Sequence, residues 1–564
     1  MAYFLKQTRL KGRTYLAIYE GHYDHDRKGA VNRTVKSLGS VETLKAGGME
    51  DPVAFYRAEV GEMNRKRTEQ DAPKIGKASP AMHLGYFPLK AIMERLHVRR
   101  LVDAFSMTND FEYDLYGLLC ALVYARAVGP ASKRKTFHSV VPRLFEKREY
   151  SYDQMLDCCA FLGRNYEKFA ELFLHQTKAA YGINTGTAYF DCTNFYFEID
   201  RQDGFRRKGP SKEGRPDPIV GMGLLLDRDL IPIGLGLYPG NQPEKPVLGR
   251  IIRDLKRRHQ VVGRTIHVAD KGLNCAENIA LSRERKDGYL FSKSVKTLPE
   301  TEKVWVLLKD GYKEVTDSKG KLLYAYKSCI DEFPYTFEAG GKKVSYKVRE
   351  KRLVTFNPQL ARKQRMEIDR LALKAASASS PENRRAVLGE CSRFVSFIGR
   401  DGAKADAVIN QDAIEKAKRF AGFNMLVTSE LDMDDKAMYR TYHHLWRIEE
   451  TFRVMKTDLD ARPVFLQKED SIKGHFLICY ITVLLTRILQ FKILRNQFPT
   501  SAIIDLFRNL DVVKVDGKYL NTASDTKLIE SLAEHWDIPI NNLFLSDVKI
   551  KRILGVNPRP FKEC

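Results

Sequence analysis

Three side chains in the segment YHHLWRIEETFRVMK, residues 442–456, have the types and the spacing that chemistry requires. Tyr442, Glu449 and Lys456 follow one another at intervals of seven residues. Because seven residues make about two turns of an α-helix, the three side chains are predicted to form one stripe along a helix. A carboxylate held half out of water beside a cation is placed to bind a metal or to take a proton.

Two aspartates stand in positions that composition would not favour. Asp191 lies within the strand-like segment YFDCTNFYF, where a buried charge must be paired or metal-bound. Asp270 ends the apolar segment IHVAD, at the edge where open α/β sheets build their sites. Simpler readings stay open: a hydrogen-bonded structural aspartate for Asp191, a turn former for Asp270, and a neighbour of Lys456 on a solvated face for Glu449.

Taken together, Asp191, Asp270 and Glu449 can converge into an all-oxygen site for Mg²⁺ or Mn²⁺, hard cations that prefer carboxylate and water ligands. Two such ions, about 3.5–4 Å apart, would activate a water or a 3′-hydroxyl on one side of a phosphodiester and stabilise the leaving oxygen on the other. This chemistry is in-line phosphoryl transfer. It requires carboxylates that position metal and cations that hold phosphate.

The elements that must position the two aspartates begin at residue 186. TAYFDCTNFYFEI, IVGMGLLLD and LIPIGLGLY read as three strands joined by short turns, which predicts an antiparallel meander. A helix at 244–258, the strand TIHVAD, a helix at 275–286 and the strand YLFS follow. The predicted order is βββαβαβ.

Glu449 is predicted to lie on an amphipathic helix that begins at Asp432 or Asp434. Apolar residues recur there at three- and four-residue steps, as a narrow seam that faces a core: Leu445, Ile448, Phe452, Met455 and Leu459. Glu449 lies at the edge of this seam. Glu450 is the alternative third acid, but it is rotated about 100° further from the seam.

The charge of the chain indicates a polyanionic partner. Its 94 Lys and Arg residues against 71 Asp and Glu residues give a net charge of +23, which makes nucleic acid the first candidate. A merely soluble basic protein and a surface that binds anionic lipid are the alternatives that charge alone leaves open. The nine cysteines include no CxxC, and the N-terminus lacks the apolar core of a signal peptide, which favours a reducing cytoplasm. The apolar run 476–491 carries Arg487 and is too short to span a bilayer, so it is predicted to be a buried helix, with no membrane involved.

A chain of 564 residues has room for several domains. The predicted regions are a small β unit at 1–50, a helical and DNA-binding domain at 53–185, the first part of an α/β core at 186–299, a β-rich insertion at 300–415, the second part of the core with the Glu449 helix at 416–495, and a C-terminal helical region at 496–564. Within the insertion, VWVLLKDGYKEV, GKLLYAYKSC, PYTFEAG and KVSYKVREKRLVTF are predicted strands, QLARKQRMEIDRLALKAA a helix and SASSPENRRAV a loop.

The order βββαβαβ, the β-rich insertion and a final helix with Tyr-x6-Glu-x6-Lys resemble the ribonuclease-H-like catalytic domain of bacterial insertion-sequence DDE transposases. In particular they resemble the group with the C-terminal signature Tyr-x2-Arg-x3-Glu-x6-Lys. GMGLLLDRDLIPIGLGLYPGN, with Glu244 shortly after it, and ARPVFLQ are further similar phrases. The resemblance covers residues 186–495, and the remainder only in general layout.

The resemblance implies an α/β fold with a ribonuclease-H-like mixed sheet, interrupted by the insertion, and a DNA transposase that cleaves element ends and joins them to target DNA. The implied catalytic acids, which would also hold two Mg²⁺ or Mn²⁺ ions, are Asp191, Asp270 and Glu449. The implied DNA contacts are Tyr442, Lys456, Arg447 and Arg453. The implied partners are double-stranded DNA, as terminal inverted repeats and as target, and a second copy of the chain, in a bacterial cytoplasm. A nuclease of the same fold and a non-catalytic DNA-binding protein derived from a transposase are the alternatives.

One departure from the signature matters: its arginine position, three residues after the tyrosine, is Leu445. His443 and His444 are expected to be a surface pair rather than zinc ligands, since no second pair of ligands has the right spacing. Trp446 is expected to pack against the sheet rather than to stack on a base. Asn241 and Glu244 most simply form a turn and a helix cap, although the resemblance gives them a supporting role near the site.

Overall fold

A computed structural model describes residues 2–24, 29–70, 80–109, 111–257, 263–376, 394–398, 406–462 and 464–562. The chain divides into two compact units, Met1–Pro80 with Lys514–Lys518 and Ala81–Val513 with Tyr519–Cys564. All the candidate catalytic residues belong to the second unit.

The first unit contains an antiparallel sheet of three strands, where the sequence predicts a small β unit. Its elements are β1 (Ala2–Leu10), β2 (Arg13–Asp24), β3 (Gly29–Ser40) and the helices Val41–Ala46 and Pro52–Gln70. The turn between β1 and β2 consists of Lys11 and Gly12, and φ is positive at both residues. Two-residue hairpin turns favour this backbone because its twist matches that of the flanking strands.

A helical region opens the second unit, after the short strand β4 (Met82–His83). Its main helices are Phe87–Arg95, Arg99–Asn109, Leu115–Val128, Tyr152–Arg164 and Tyr166–Tyr181. The helices Tyr152–Arg164 and Tyr166–Tyr181 are separated at Asn165. Ser151 and Gln154 begin the first of them with a reciprocal capping box.

The large mixed sheet carries both candidate aspartates. Its first elements are β5 (Thr187–Tyr196), β6 (Ile219–Leu226), β7 (Pro232–Pro239), the helix Lys245–Arg257, β8 (Ile266–Ala269), the helix Ala276–Glu284 and β9 (Gly288–Lys293). β6 pairs antiparallel with β5 and β7, whereas β8 pairs parallel with β5 and β9. The order βββαβαβ and the antiparallel meander predicted from the sequence are confirmed.

The β-rich insertion extends this same sheet. Its elements are the helix Glu300–Leu307, β10 (Lys313–Thr316), β11 (Leu322–Ala339), β12 (Lys342–Phe356), the helix Pro358–Ala376, β13 (Val395–Ile398), β14 (Asp406–Ile409) and the helix Gln411–Arg419. The strand β15 (Phe423–Thr428) follows in the second part of the core. β15 pairs with both β12 and β9, so the sheet order is β10-β11-β12-β15-β9-β8-β5-β6-β7.

Two predictions within the insertion need correction, and a third falls outside the described residues. The strand predicted to begin at Val304 is wrong in its first half, because residues 300–307 are helical; Glu300 and Glu302 in the first turn favour a helix N-terminus. GKLLYAYKSC and PYTFEAG form one continuous strand, β11, rather than two. The loop predicted at 377–387 lies outside the described residues.

The two faces of the sheet pack on different cores. Tyr189 and Val268 belong to one apolar cluster, and Phe190 and Ala269 to another. Side chains alternate between faces along a strand, so each of these strands contributes to both cores. The first cluster also includes the helix Glu469–Arg487, called the core helix here, which confirms the buried helix predicted for 476–491.

The core helix is long and apolar enough by composition to cross a membrane, but 89% of its most apolar window is buried inside the protein. Gly474 on this helix lies against the backbone of the helix Tyr152–Arg164, and Gly163 lies against the core helix in return. A Cβ at either glycine would clash with a carbonyl oxygen. The two glycines therefore let the two helix backbones touch.

The C-terminal region contains more than the helices predicted for 496–564. Its elements are the helix Thr500–Asn509, β16 (Asp511–Val515), β17 (Lys518–Asn521), the helix Lys527–Trp536, β18 (Phe544–Leu545) and the helix Asp547–Leu554. β16, β17 and β18 join β4 in a four-stranded sheet. The prediction of a helical region with turns missed these strands, because strands this short carry little periodicity of their own.

Candidate active site

Sheet register brings Asp191 and Asp270 side by side. In the parallel pair β5–β8, Phe190 lies opposite Ala269, so the next residue along each strand is one of the two aspartates. Phe190 and Ala269 face one core, and alternation turns the aspartates toward the other face of the sheet. Neighbouring strands are about 4.8 Å apart. Two of the three acids singled out in the sequence are therefore direct neighbours.

The Asp191 carboxylate is largely shielded from water. Its side chain is 19% exposed, and Lys212 Nζ lies 3.8 Å from its Oδ1. Cys192 donates its backbone N–H to the same oxygen at 2.7 Å. Burial raises the pKa of Asp191 to about 6, although Lys212 and the Cys192 N–H lower it; the nearby charges of Glu244 and Asp270 raise it further. The positive groups around Asp191 therefore do not fully offset the cost of burying its ionised carboxylate.

Asp270 is held in place by two hydroxyl groups. Ser292 Oγ and Tyr442 Oη both donate hydrogen bonds to Asp270 Oδ1 at 2.9 Å. Burial, together with the negative charge of Asp270, raises the pKa of Tyr442 well above its ordinary value, so the phenol keeps its proton. The resemblance implies that Tyr442 contacts DNA, whereas in the structure its hydroxyl positions Asp270.

The helix predicted to carry Tyr442, Glu449 and Lys456 is interrupted. The Tyr442 helix (Asp435–His443) begins at Asp434, one of the two predicted caps, and ends before a turn at His444 and Leu445. The Glu449 helix (Trp446–Arg453) follows, and Lys456 lies in a π-helical turn at Val454–Asp458. The prediction of a single continuous stripe is therefore wrong. The seam of five apolar residues is confirmed as buried.

Glu449 and Glu450 have opposite surroundings. Glu449 is exposed, and in the part of the chain that the structure describes its carboxylate makes no hydrogen bond or ion pair. Its helix packs against β5, and its charge contributes to the raised pKa of Tyr442. Glu450 accepts from Arg447 and Thr500 at 3.0 Å and lies 3.8 Å from the buried Arg487. Glu450 is thus occupied by structural contacts, whereas Glu449 is available.

The predicted DNA-contacting cations differ in their surroundings. Lys456 Nζ donates to Glu213 at 3.2 Å, and its side chain is only 12% exposed. Arg447 pairs with Glu450 and lies 3.8 Å from the ring centre of Trp446, while Arg453 is exposed. Trp446 is 49% exposed, so the expectation that it packs against the sheet is wrong. The arginine that covers Trp446 takes the place of that packing.

The structure adds three candidate functional residues that are not predicted from the sequence: Lys212, Glu213 and Arg462. Lys212 Nζ lies 3.5 Å from Glu244, which gives Glu244 the contact with the site that the resemblance suggested. Arg462 donates to Glu213, as Lys456 does. Glu213 lies more than 240 residues before Lys456 and Arg462 in sequence. Because the segment around Lys212 also has no periodicity, no local sequence signal predicts these contacts.

The donor set of the candidate site is suited to a hard divalent cation, since Asp191, Asp270 and Glu449 offer carboxylate oxygens alone. The raised pKa of Asp191 also fits a site that needs added positive charge. Among the described residues, however, no group of three or more His, Cys, Asp and Glu side chains is gathered closely enough to hold an ion as it stands. Binding of an ion by all three would require these carboxylates to move closer together. The same finding gives no support to zinc binding at His443 and His444.

Comparison with known proteins gives little. No family model matches the sequence, and no curated protein matches it. Among solved structures, the chain is similar to piggyBac transposase in a synaptic complex with hairpin DNA, studied by cryo-electron microscopy. The identity is 12%, the match covers 75% of this chain and 78% of that one, and the TM-score is 0.36. A structural similarity with so low a TM-score and identity carries no information about the function of this chain.

Proposed function

We propose that the protein is a metal-dependent DNA transposase of the insertion-sequence type, with a ribonuclease-H-like catalytic core. One observation carries the proposal. Asp191, within β5, and Asp270, directly after the parallel strand β8, lie side by side on the face of the sheet where the Glu449 helix packs. An aspartate pair and a helical glutamate on one face are the groups that a two-ion phosphoryl-transfer site needs.

The topology supports the same assignment. Along the sheet, the strands run β7-β6-β5-β8-β9, with the first three antiparallel and the last two parallel to β5. This is the βββαβαβ arrangement on which the resemblance to the ribonuclease-H-like transposases rests. The insertion enters after β9 and returns to the sheet at β15, immediately before the two helices that carry Tyr442 and Glu449.

The chain supplies acids, cations and positioning groups. Asp191, Asp270 and Glu449 would hold Mg²⁺ or Mn²⁺, which when bound activates water or a 3′-hydroxyl and stabilises the leaving oxygen. Tyr442 and Ser292 fix the orientation of Asp270, so that its second oxygen keeps a constant direction. Lys456 would contact phosphate near the scissile bond. The net charge of +23 favours DNA as the partner.

The activity would be cleavage at the two ends of a DNA element, followed by joining of the 3′-hydroxyl ends to target DNA. Both ends must be cut together, so we propose a dimer on DNA as the working form, in the bacterial cytoplasm. The inverted repeats that bound the element would be the specific partner.

The experiment combines the purified chain, Mg²⁺, labelled DNA from both flanks of its gene and a supercoiled target plasmid. The expected product is label joined covalently to the plasmid. Glu449→Gln is the matched control, because it removes only an exposed carboxylate without hydrogen bonds in the described structure. It should bind the flanking DNA and join none.

Other outcomes would overturn the proposal. Ends that are cleaved but never joined would indicate a nuclease of the same fold. DNA that is bound, with neither cleavage nor joining in any variant, would indicate a non-catalytic DNA-binding protein. Joining that survives in Asp191→Ala would end the catalytic assignment of the carboxylates.

A further inference from the structure

The segment between β5 and β6 places two adjacent residues of opposite charge in the candidate site. Lys212 Nζ donates to the Cys192 carbonyl oxygen and lies 3.8 Å from Asp191 and 3.5 Å from Glu244. Its ammonium group therefore lies between two carboxylates of the site.

Glu213, the next residue, makes the complementary contact. Its Oε1 accepts hydrogen bonds from Lys456 at 3.2 Å and from Arg462. Burial raises the pKa of Glu213, but the hydrogen bonds from Arg462 and Lys456 outweigh burial and lower it below its usual value. Among the described residues, Glu213 is the one carboxylate that forms ion pairs with these two cations.

Lys456 and Arg462 converge on the Glu213 carboxylate, and each of these two cations lies near an aromatic ring. Lys456 Nζ lies 5.4 Å from the ring centre of Phe195, and the Arg462 guanidinium lies 5.6 Å from that of Tyr196. Both rings belong to β5, the strand of Asp191, and lie four and five residues beyond that aspartate. Two convergent cations partly shielded from water suit an oxyanion with several acceptor oxygens, such as a phosphate.

The base of the segment is held by its backbone, whereas the tip is held by side chains. Arg207 and Ile219 exchange backbone hydrogen bonds at 3.1 and 2.8 Å at the base, and the ion pairs of Lys212 and Glu213 hold the tip. At the base, Gly209 touches the backbone of Gly240 so closely that a Cβ would clash. At the tip, residues 212–216 are exposed, and the link from the Lys212 N–H to Asn194 Oδ1 is a long 3.4 Å. Gly214 has a φ of +68, in the left-handed region that favours glycine, and glycine has no Cβ that could pack against a neighbour. The tip is thus able to leave while the base stays.

We infer that the Lys212-Glu213 pair masks the candidate site by imitating both of its ligands. The Lys212 ammonium occupies the cation side between Asp191 and Glu244, and the Glu213 carboxylate occupies a phosphate site formed by Lys456 and Arg462. DNA phosphate displaces Glu213, and withdrawal of the adjacent Lys212 opens the carboxylates to the divalent cation. The inference rests on the proposed function, and it adds Arg462 as a phosphate-binding residue and the segment 209–216 as the mask.

DNA binding tests the phosphate half. Affinity for a labelled duplex of arbitrary sequence is measured by fluorescence anisotropy, without divalent cations, so that no catalysis is needed. Glu213→Gln should bind about fivefold more tightly than the unchanged protein, because phosphate no longer competes with an internal carboxylate. Glu198→Gln is the matched control: it removes an equal charge from the same segment, where Glu198 pairs with Arg215 at 3.4 Å. It should gain much less.

The gain must also depend on the proposed phosphate site. Arg462→Gln should weaken binding, and Glu213→Gln should add nothing in the Arg462→Gln background. An equal gain in Glu213→Gln and Glu198→Gln, or a full gain without Arg462, would overturn the inference. A duplex that none of the proteins binds would overturn it as well.

Cation binding tests the other half, with Mn²⁺ as the probe and the loss of the free Mn²⁺ paramagnetic resonance signal as the readout. Lys212→Met should bind Mn²⁺ about tenfold more tightly than the unchanged protein, since the internal cation is gone. Lys208→Met, which removes an exposed lysine of the same segment, is the control. Equal affinity in the two variants would overturn the inference.

These readouts separate the mask from the proposed function. If the unchanged protein joins DNA ends but Glu213→Gln gains no affinity beyond Glu198→Gln, the transposase assignment stands and the mask fails. If Glu213→Gln and Lys212→Met both gain affinity but no DNA is ever joined, the masking inference is supported and the transposase assignment fails. The masked site would then bind a cation and phosphate for a different reaction.

Discussion

Asp191 and Asp270 each follow one member of a single cross-strand pair, Phe190 and Ala269, on two parallel strands that run side by side. Their spacing is therefore set by the backbone of the sheet and not by side-chain choice. The charge of Asp270 contributes to the raised pKa of Asp191, although burial is the larger cause. Two carboxylates fixed side by side on the backbone in this way are expected to act on bound metal as one unit.

The first prediction concerns this unit. Asp191→Asn and Asp270→Asn should each lower the rate of end cleavage by at least about a thousandfold, and the double variant should be no slower than either alone. Non-additivity is expected because removing one ligand already disables the site. The rates are compared in single-turnover cleavage assays. Independent effects that multiply in the double variant would contradict a shared site.

The second prediction uses two adjacent glutamates. Glu450→Gln should lower the free energy of unfolding by about 2–3 kcal/mol, because it leaves the buried Arg487 without its carboxylate. Glu449→Gln should change stability by less than about 0.5 kcal/mol, since it removes an exposed group, yet it should abolish cleavage. Urea unfolding and the cleavage assay separate the two effects. The reverse pattern would make Glu450 the third acid.

Local sequence signals predicted the strands that carry the aspartates, because each strand is a short apolar run with clear turns at its ends. They could not predict the break between Tyr442 and Glu449. Leu445, Arg447 and Ile448 donate their N–H groups to carbonyls three residues back, at 3.0 Å each, so the backbone tightens there without any Gly or Pro. Seven residues then no longer correspond to two α-helical turns.

The contacts of Lys212 and Glu213 could not be predicted from the sequence for a different reason. Their partners are Asp191, Glu244, Lys456 and Arg462, which meet them only after the sheet and the helices beyond the insertion have packed. Pairings of this range are set by tertiary structure. A single sequence carries no periodic trace of them.

The third prediction concerns helix packing. Gly474→Ala should lower the free energy of unfolding by about 3 kcal/mol, because the added Cβ would meet the Cys159 carbonyl oxygen in the facing helix. Gly61→Ala is the control, since nothing lies within 4 Å of a Cβ at that helical position. It should be neutral or slightly stabilising, as alanine is the better helix former. Chemical denaturation measures both; equal stabilities would show that the two helices adjust without cost.

The fourth prediction is a pH dependence from Asp227, a fully buried carboxylate that accepts hydrogen bonds from the N–H groups of Ile231 at 2.8 Å and Asn184 at 3.0 Å. Burial raises the pKa of Asp227 to about 6; those hydrogen bonds and Lys492 lower it, and Asp229 adds to the rise. Between its ordinary pKa of 3.8 and this value, the folded protein holds a proton that the unfolded chain has lost.

Stability attributable to Asp227 must therefore fall as pH rises from about 4 to about 6, by roughly 2–3 kcal/mol. The measurement is the free energy of unfolding of the unchanged protein minus that of Asp227→Asn, across this range, which removes the slopes of all other groups. Asp229→Asn, a more exposed neighbour paired with Lys492, is the control and should leave the slope nearly unchanged. A difference that is flat or rises with pH would mean that Asp227 is ionised in the folded protein throughout, with its two N–H partners outweighing burial.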